Sequence, residues 1–149
     1  MSDAQMRELV SGIPVPEFES TAFTRPPALA DATVAIVTTA GLHRRVDPGW
    51  RAGDQTFREI GASDRDLALG HWSPNFDRSG LAADLNVVFP IDRLHEMAAE
   101  GAIGKVAPRH LSFMGALDET MTTIRIDSGP AAAKVLRDDG VDVVLLTPV

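Results

Sequence analysis

The stretch from Asp84 to Gly115 constrains this chain most, because it fixes a helix, a strand and the order in which they come. It reads DLNVVFPIDRLHEMAAEGAIGKVAPRHLSFMG. Pro90 suits the first position of a helix, where an N–H has no intrahelical partner to lose. Ile91, Leu94, Met97 and Ala98 recur at helical spacing and define one apolar face. Gly101 supplies the stop. The spacing therefore predicts a helix between Pro90 and Gly101, followed by a short apolar strand from Ile103 to Ala107. That strand runs into Pro108, Arg109 and His110. The order sets a guanidinium and an imidazole just past the carboxyl end of a strand, the rim on which open α/β sheets bind ligands.

The rest of the chain repeats the alternation. Thr33 to Thr38 (TVAIVT) is a near-continuous β-branched run, the pattern of a strand buried on both faces in a parallel sheet. Thr56 to Ile60 reads as a short strand. Ser128 to Asp139 reads as a second helix, with Ser128 or Asp127 as cap, Pro130 near its start and a stripe of Ala131, Val135 and Leu136. Val141 to Leu146 reads as a further buried strand. Helices alternating with Val-rich strands predict an α/β fold, an open and mostly parallel sheet flanked by helices. If the strands run parallel, Thr39–His43, Pro108–His110 and Thr147–Val149 converge on one edge. Residues 1–32 read as an irregular arm, because Gly12 to Asp31 is broken by several prolines, and residues 33–149 as the α/β domain. An arm of that kind fits docking on a partner chain or a second copy.

Composition excludes several classes. Asp and Glu number 21 against 14 Lys and Arg, a net charge of −7. Phosphate backbones need basic patches, so nucleic acid is a poor partner. No apolar run approaches the roughly 20 residues that span a bilayer. Met1 to Val10 carries no signal-peptide core, which makes the cytoplasm the default setting. The chain has no cysteine, so it forms no disulfide and its own residues supply no thiol.

The candidate site residues sit at the expected strand ends. Thr39 and Gly41 leave the first strand, and Gly41 lets backbone approach a carboxylate or phosphate. Arg44 beside His43, and Arg109 beside His110, offer cations for a substrate carboxylate. His43 and His110 could each move a proton near neutral pH. Solvated loops, or an arginine tied to a nearby Asp, are the plain alternatives. His71, Asn75 and Asp77 share one loop without recognised zinc spacing, Trp72 and Phe76 read as packing residues, and His95 reads as surface. A metal centre built from His43, His71 and His110 is a weaker reading. GAIG at Gly101–Gly104 is no dinucleotide fingerprint, and no Walker or GxSxG sequence occurs.

Five segments in order, VTTAGLHRR (Val37–Arg45), SPNFD (Ser73–Asp77), DLNVVFPIDRL (Asp84–Leu94), GKVAPRHLSFMG (Gly104–Gly115) and DGVDVVLLTPV (Asp139–Val149), resemble the selenoprotein B family of glycine, sarcosine, betaine and D-proline reductases. The resemblance runs from about residue 33 to the end. It implies a subunit of a system in which a selenol or thiol attacks the carbon next to a small amino acid's or amine's nitrogen and a C–N bond breaks. It further implies partner reductase subunits, a pyruvoyl group on one of them, and a thioredoxin-like dithiol carrier as electron donor. The chain departs from the family at the reactive residue, which in relatives follows a strand like Val143–Thr147. The expectation is a product that continues past Val149, through a codon ordinarily read as stop, into a selenocysteine or cysteine segment, and that is inactive without it. A non-catalytic subunit that binds small anions or serves assembly is the alternative.

Overall fold

The structure, a computed structural model, describes residues 2–12, 23–74, 78–117 and 120–149. In chain order come α1 (Asp3–Ser11), β1 (Thr33–Thr38), β2 (Leu42–Arg44), β3 (Phe57–Gly61), β4 (Leu67–Leu69), α2 (Ser79–Ala83), α3 (Ile91–Ala99), β5 (Lys105–Val106), β6 (Arg109–Phe113), α4 (Gly129–Asp138) and β7 (Val143–Thr147). Part of the expected N-terminal arm, 13–22, lies outside the described residues. Residues 23–28 are irregular and end in a single 3₁₀ turn, Leu29–Asp31.

β1 is the central strand. β5 and β6 lie in line along one flank, pairing with Thr33–Val34 and Val37–Thr38 respectively, and β7 runs along the other flank from Val34 to Thr38, all parallel to β1. β3 closes the far side antiparallel to β6. The α/β class with a mostly parallel sheet is thus the observed one. β1 reads as a β-branched run because both its faces are covered. On one face Val34 and Ile36 pack with Phe89, Ile91 and Leu94 of the α3 region. On the other, Val37, Leu111 and Phe113 meet Ala132, Val135 and Leu136 of α4. α3 forms where its apolar spacing predicts, with Ile91 and Leu94 buried and Pro90 just before it.

Four expectations need correction. The buried strand expected at Val141–Leu146 is instead Val143–Thr147, with Val144, Leu145 and Leu146 exposed. The strand expected at Ile103–Ala107 is only Lys105–Val106, and Pro108, which has no N–H for a ladder, interrupts it without ending it. The chain resumes as β6, so Arg109 and His110 begin a strand and do not follow one. The segment Leu42–Arg44, expected as part of a loop leaving β1, instead pairs antiparallel with β4 as a separate two-stranded ribbon. Finally, α4 is preceded by a wide helical turn, Ile124–Ser128, and Ser128 donates its hydroxyl to the Gln55 carbonyl at 2.6 Å; it does not cap the helix with its side chain.

Candidate functional site

The carboxyl ends of β1, β6 and β7 do converge. Thr39 binds the end of β7 through its whole length: its N–H donates to the Thr147 carbonyl at 3.3 Å, and its hydroxyl accepts from the Val149 N–H at 2.9 Å and donates to the Val149 oxygen at 3.3 Å. Thr38 adds a hydroxyl bond to the Thr147 carbonyl at 3.2 Å. Thr147 in turn donates its hydroxyl to the Val88 carbonyl at 2.8 Å, fixing β7 to the turn before α3. Gly41 N–H donates to the carbonyl of Phe113 at 2.8 Å, which brings in the end of β6.

Two glycines make room for this convergence. Gly41 has φ +66°, a left-handed conformation that side chains resist, and a β-carbon on it would stand 3.0 Å from the His71 main-chain nitrogen. At Gly115 a β-carbon would stand 2.8 Å from Nε2 of His71, 2.9 Å from the Thr39 oxygen and 3.0 Å from the Val149 oxygen. Those three polar atoms, from three separate parts of the chain, therefore surround one small space beside the end of β7.

His71 is the imidazole of this edge. It is buried. Its Nδ1 accepts from the Ser73 N–H at 3.1 Å, so the neutral ring carries its proton on Nε2, the atom beside Gly115. Burial first, and then the Arg78 guanidinium, hold its pKa below the ordinary histidine value. Arg78 also donates to the His71 carbonyl at 2.6 Å. The ribbon of β2 and β4 delivers the residue here, since Gly70 N–H donates to the Gly41 carbonyl at 2.8 Å.

Of the residues singled out in the sequence, Thr39 and Gly41 lie at this edge. His43 lies on β2, 8% exposed, paired with Ala68, and its Cε1 would meet a β-carbon on Gly70 at 3.3 Å. His110 lies within the sheet, fully buried. Its Nδ1 accepts the N–H of Ile36 at 2.9 Å, filling the break in the ladder between β5 and β6, and its ring stands edge-on to Phe89 at 5.4 Å. Burial, with His95 as a second cause, pushes its pKa down to about 4. The premise that His110 stands past a strand's carboxyl end is overturned by this position.

Arg109 closes a fork on Asp139 at 2.7 and 2.8 Å and reaches Glu59 at 2.9 Å. Those bonds, Asp139 first, raise its pKa and hold the Asp139 carboxyl below the usual range. Arg44 makes the same kind of fork with Asp47 at 2.8 and 2.9 Å. A substrate carboxylate at either arginine has to displace an internal one. Among the described residues no group of three or more His, Asp or Glu is placed to hold a metal ion, which removes the three-histidine centre. Asn75, Phe76 and Asp77 lie outside the described residues. Trp72 is half exposed, with Nε1 donating to the Trp50 carbonyl at 2.9 Å.

Sequence reasoning missed His71 as an edge residue. Nothing in its own neighbourhood sets it apart; only the pairing of β2 with β4, two three-residue strands without a strong pattern, carries it to Gly115.

The description of the glycine/sarcosine/betaine reductase selenoprotein B family matches residues 4–149, and the chain belongs to that family. It is 39% identical over 122 residues to D-proline reductase subunit gamma of Acetoanaerobium sticklandii, covering 80% of this chain and 49% of that one. It is 31% identical over 149 residues to glycine reductase complex component B subunit gamma of Carboxydothermus hydrogenoformans, covering 91% and 32%. It is 30% identical over 155 residues to betaine reductase complex component B subunit beta of Peptoclostridium acidaminophilum, covering 94% and 33%. The chain thus spans from a third to a half of the length of these relatives. No solved structure matches it. Among the described residues no helix is long and apolar enough to cross a membrane.

Proposed function

We propose that the chain is part of a reductase subunit that cleaves a C–N bond of a small amino acid or amine, with the reaction held at the carboxyl edge of β1, β6 and β7. The observation that supports this most is the meeting of His71 Nε2 with the Thr39 and Val149 oxygens around Gly115, in a chain of the selenoprotein B family. The chain lacks cysteine, so the nucleophile comes from beyond residues 1–149. A selenolate or thiolate delivered next to Val149 lies within reach of the His71 N–H, which stabilises the anionic, attacking form.

In the net reaction the C–N bond breaks, and the nitrogen departs as an amine or, in a cyclic substrate such as D-proline, stays tethered as one. The carbon gains a proton and two electrons. A dithiol becomes a disulfide as it gives up two electrons and two protons, one to the carbon and one to the amine or the solvent. His71 supplies the proton at this edge. Arg78, which holds the His71 carbonyl, also lines a hollow of about 420 Å³ together with Arg45, Arg65 and an apolar floor of Leu42, Leu67 and Leu69. In this reading that hollow takes the substrate carboxylate, which competes there with Asp66 for Arg45, 2.9 Å apart, and with Asp92 for Arg65, 3.7 Å apart, both pairs standing at the exposed surface. Partner reductase subunits, one carrying a pyruvoyl group that activates the amine, and a thioredoxin-like donor complete the system.

The test is an assay of substrate-dependent dithiothreitol oxidation with glycine, sarcosine, betaine and D-proline, a readout that also registers the ring opening of D-proline, which frees no separate amine. The chain assembled with its partner subunits is expected to turn over one of the four. The 149 residues alone are expected to give none. Turnover by the isolated chain contradicts the missing-nucleophile account, and no turnover by any assembly contradicts the reductase reading.

A further inference from the structure

β7 is an edge strand with unusual exposure. Among the described residues its one strand neighbour is β1. Val143–Thr147 reads VVLLT and carries no charge and no proline, the devices that normally keep a sheet edge from pairing. Leu146 is 67% exposed, and Val144 and Leu145 more than a third. Successive side chains point to opposite faces of a strand, so Leu145 is bare on one face while Val144 and Leu146 are bare on the other. Val149 and Val87, on either side of the Thr147–Val88 bond, extend the apolar patch. A strand parallel to its neighbour ordinarily has both faces covered.

We propose that β7 docks a polypeptide equivalent to the part of the relatives lying outside the matched region, which adds a strand parallel to β7 and covers both of its faces. The inference rests on the family reading above, but on its lengths and not on its chemistry. The match with D-proline reductase subunit gamma takes in 49% of that subunit, so about half of its sequence lies outside the match. The patch asks for a body that covers both faces. A short peptide would extend the ladder and leave the two faces bare, and a second copy joined edge to edge would bring an equally bare pair of faces.

The test uses one defined probe, the portion of the Acetoanaerobium sticklandii subunit outside the matched 122 residues, titrated calorimetrically into the full chain. Saturable binding is expected, weakened about tenfold or more by Leu146→Asp and by Leu146→Lys, and unchanged by Val46→Asp, whose side chain is exposed elsewhere. Leu146 is mostly in solvent, so both variants keep the fold, which far-UV circular dichroism checks. No binding by the unaltered chain, or equal binding by the Leu146 variants, overturns the proposal. So does a concentration-dependent dimer that Leu146→Asp dissolves, because a second copy then occupies the edge. Binding without turnover in any assembly removes the reductase reading and leaves the docking surface; turnover without binding does the reverse.

Discussion

A reductase assembly carrying His71→Phe is expected to turn over its substrate about 10²- to 10⁴-fold more slowly than the unaltered assembly, the usual contribution of a positioned proton donor. Three features argue for an effect of that size. The ring is buried, its Nδ1 is committed to Ser73, and its Nε2 lies beside the Val149 oxygen. The lowered pKa keeps the ring neutral at pH 7, with Nε2–H as donor. As pH falls through that lowered value, Nδ1 takes a proton and the Ser73 bond is lost, so the unaltered assembly is expected to lose activity on an acid limb below pH 6.5 that the variant lacks. Steady-state kinetics against pH reads both. A variant with unchanged kcat and a raised KM would make His71 a binding group only.

The second large effect concerns His110. Its ring replaces a backbone carbonyl as acceptor for Ile36 N–H. A His110→Leu chain buries that N–H without a partner and is expected to lose about 2–3 kcal/mol of stability at pH 7.5, measured by urea denaturation. The pH dependence gives an independent signature. The folded pKa is about 4 against an ordinary 6.5, so between these values the unfolded chain holds more protons than the folded one. Stability from this group is complete above pH 6.5 and falls by about 3 kcal/mol as pH drops to about 4. Asp47, Asp54, Asp84 and Asp139, whose pKa values are lowered, add their losses below that window. The His110→Leu chain is expected to show a shallower slope between pH 6.5 and 4.5, the part that remains coming from His71, whose pKa is lowered as well. An equal slope in both chains would mean that His110 is not the group responsible.

The fold was legible where one physical rule dominates. Strand β1 announces itself by its β-branched run and helix α3 by its apolar spacing, and both form where expected; of the α3 stripe Ile91 and Leu94 are buried, whereas Met97 is 38% exposed. The convergence of Thr39 and Val149 followed from parallel strands alone. Legibility failed at Pro108. A proline there reads as a strand end, but the sheet continues past it: the Pro108 carbonyl accepts from the Ala62 N–H, and His110 Nδ1 serves as the acceptor for the Ile36 N–H. That long-range bond moved Arg109 and His110 from the rim to the strand. The same limit hid His71, since a short ribbon stabilised by cross-strand pairing leaves little mark on a single sequence. The arginines were found as cations, but their carboxylate partners, Asp139 thirty residues from Arg109 and Asp47 three from Arg44, are fixed only by the folded geometry.

The most direct test of the carboxyl-edge account appends a single cysteine after Val149 and follows its alkylation by iodoacetamide against pH. An ordinary cysteine titrates near 8.5. Beside the His71 N–H the midpoint is expected to fall by about one unit and to return toward the ordinary value in His71→Phe. Midpoints near the ordinary value in both proteins would contradict the claim that this edge activates the attacking atom.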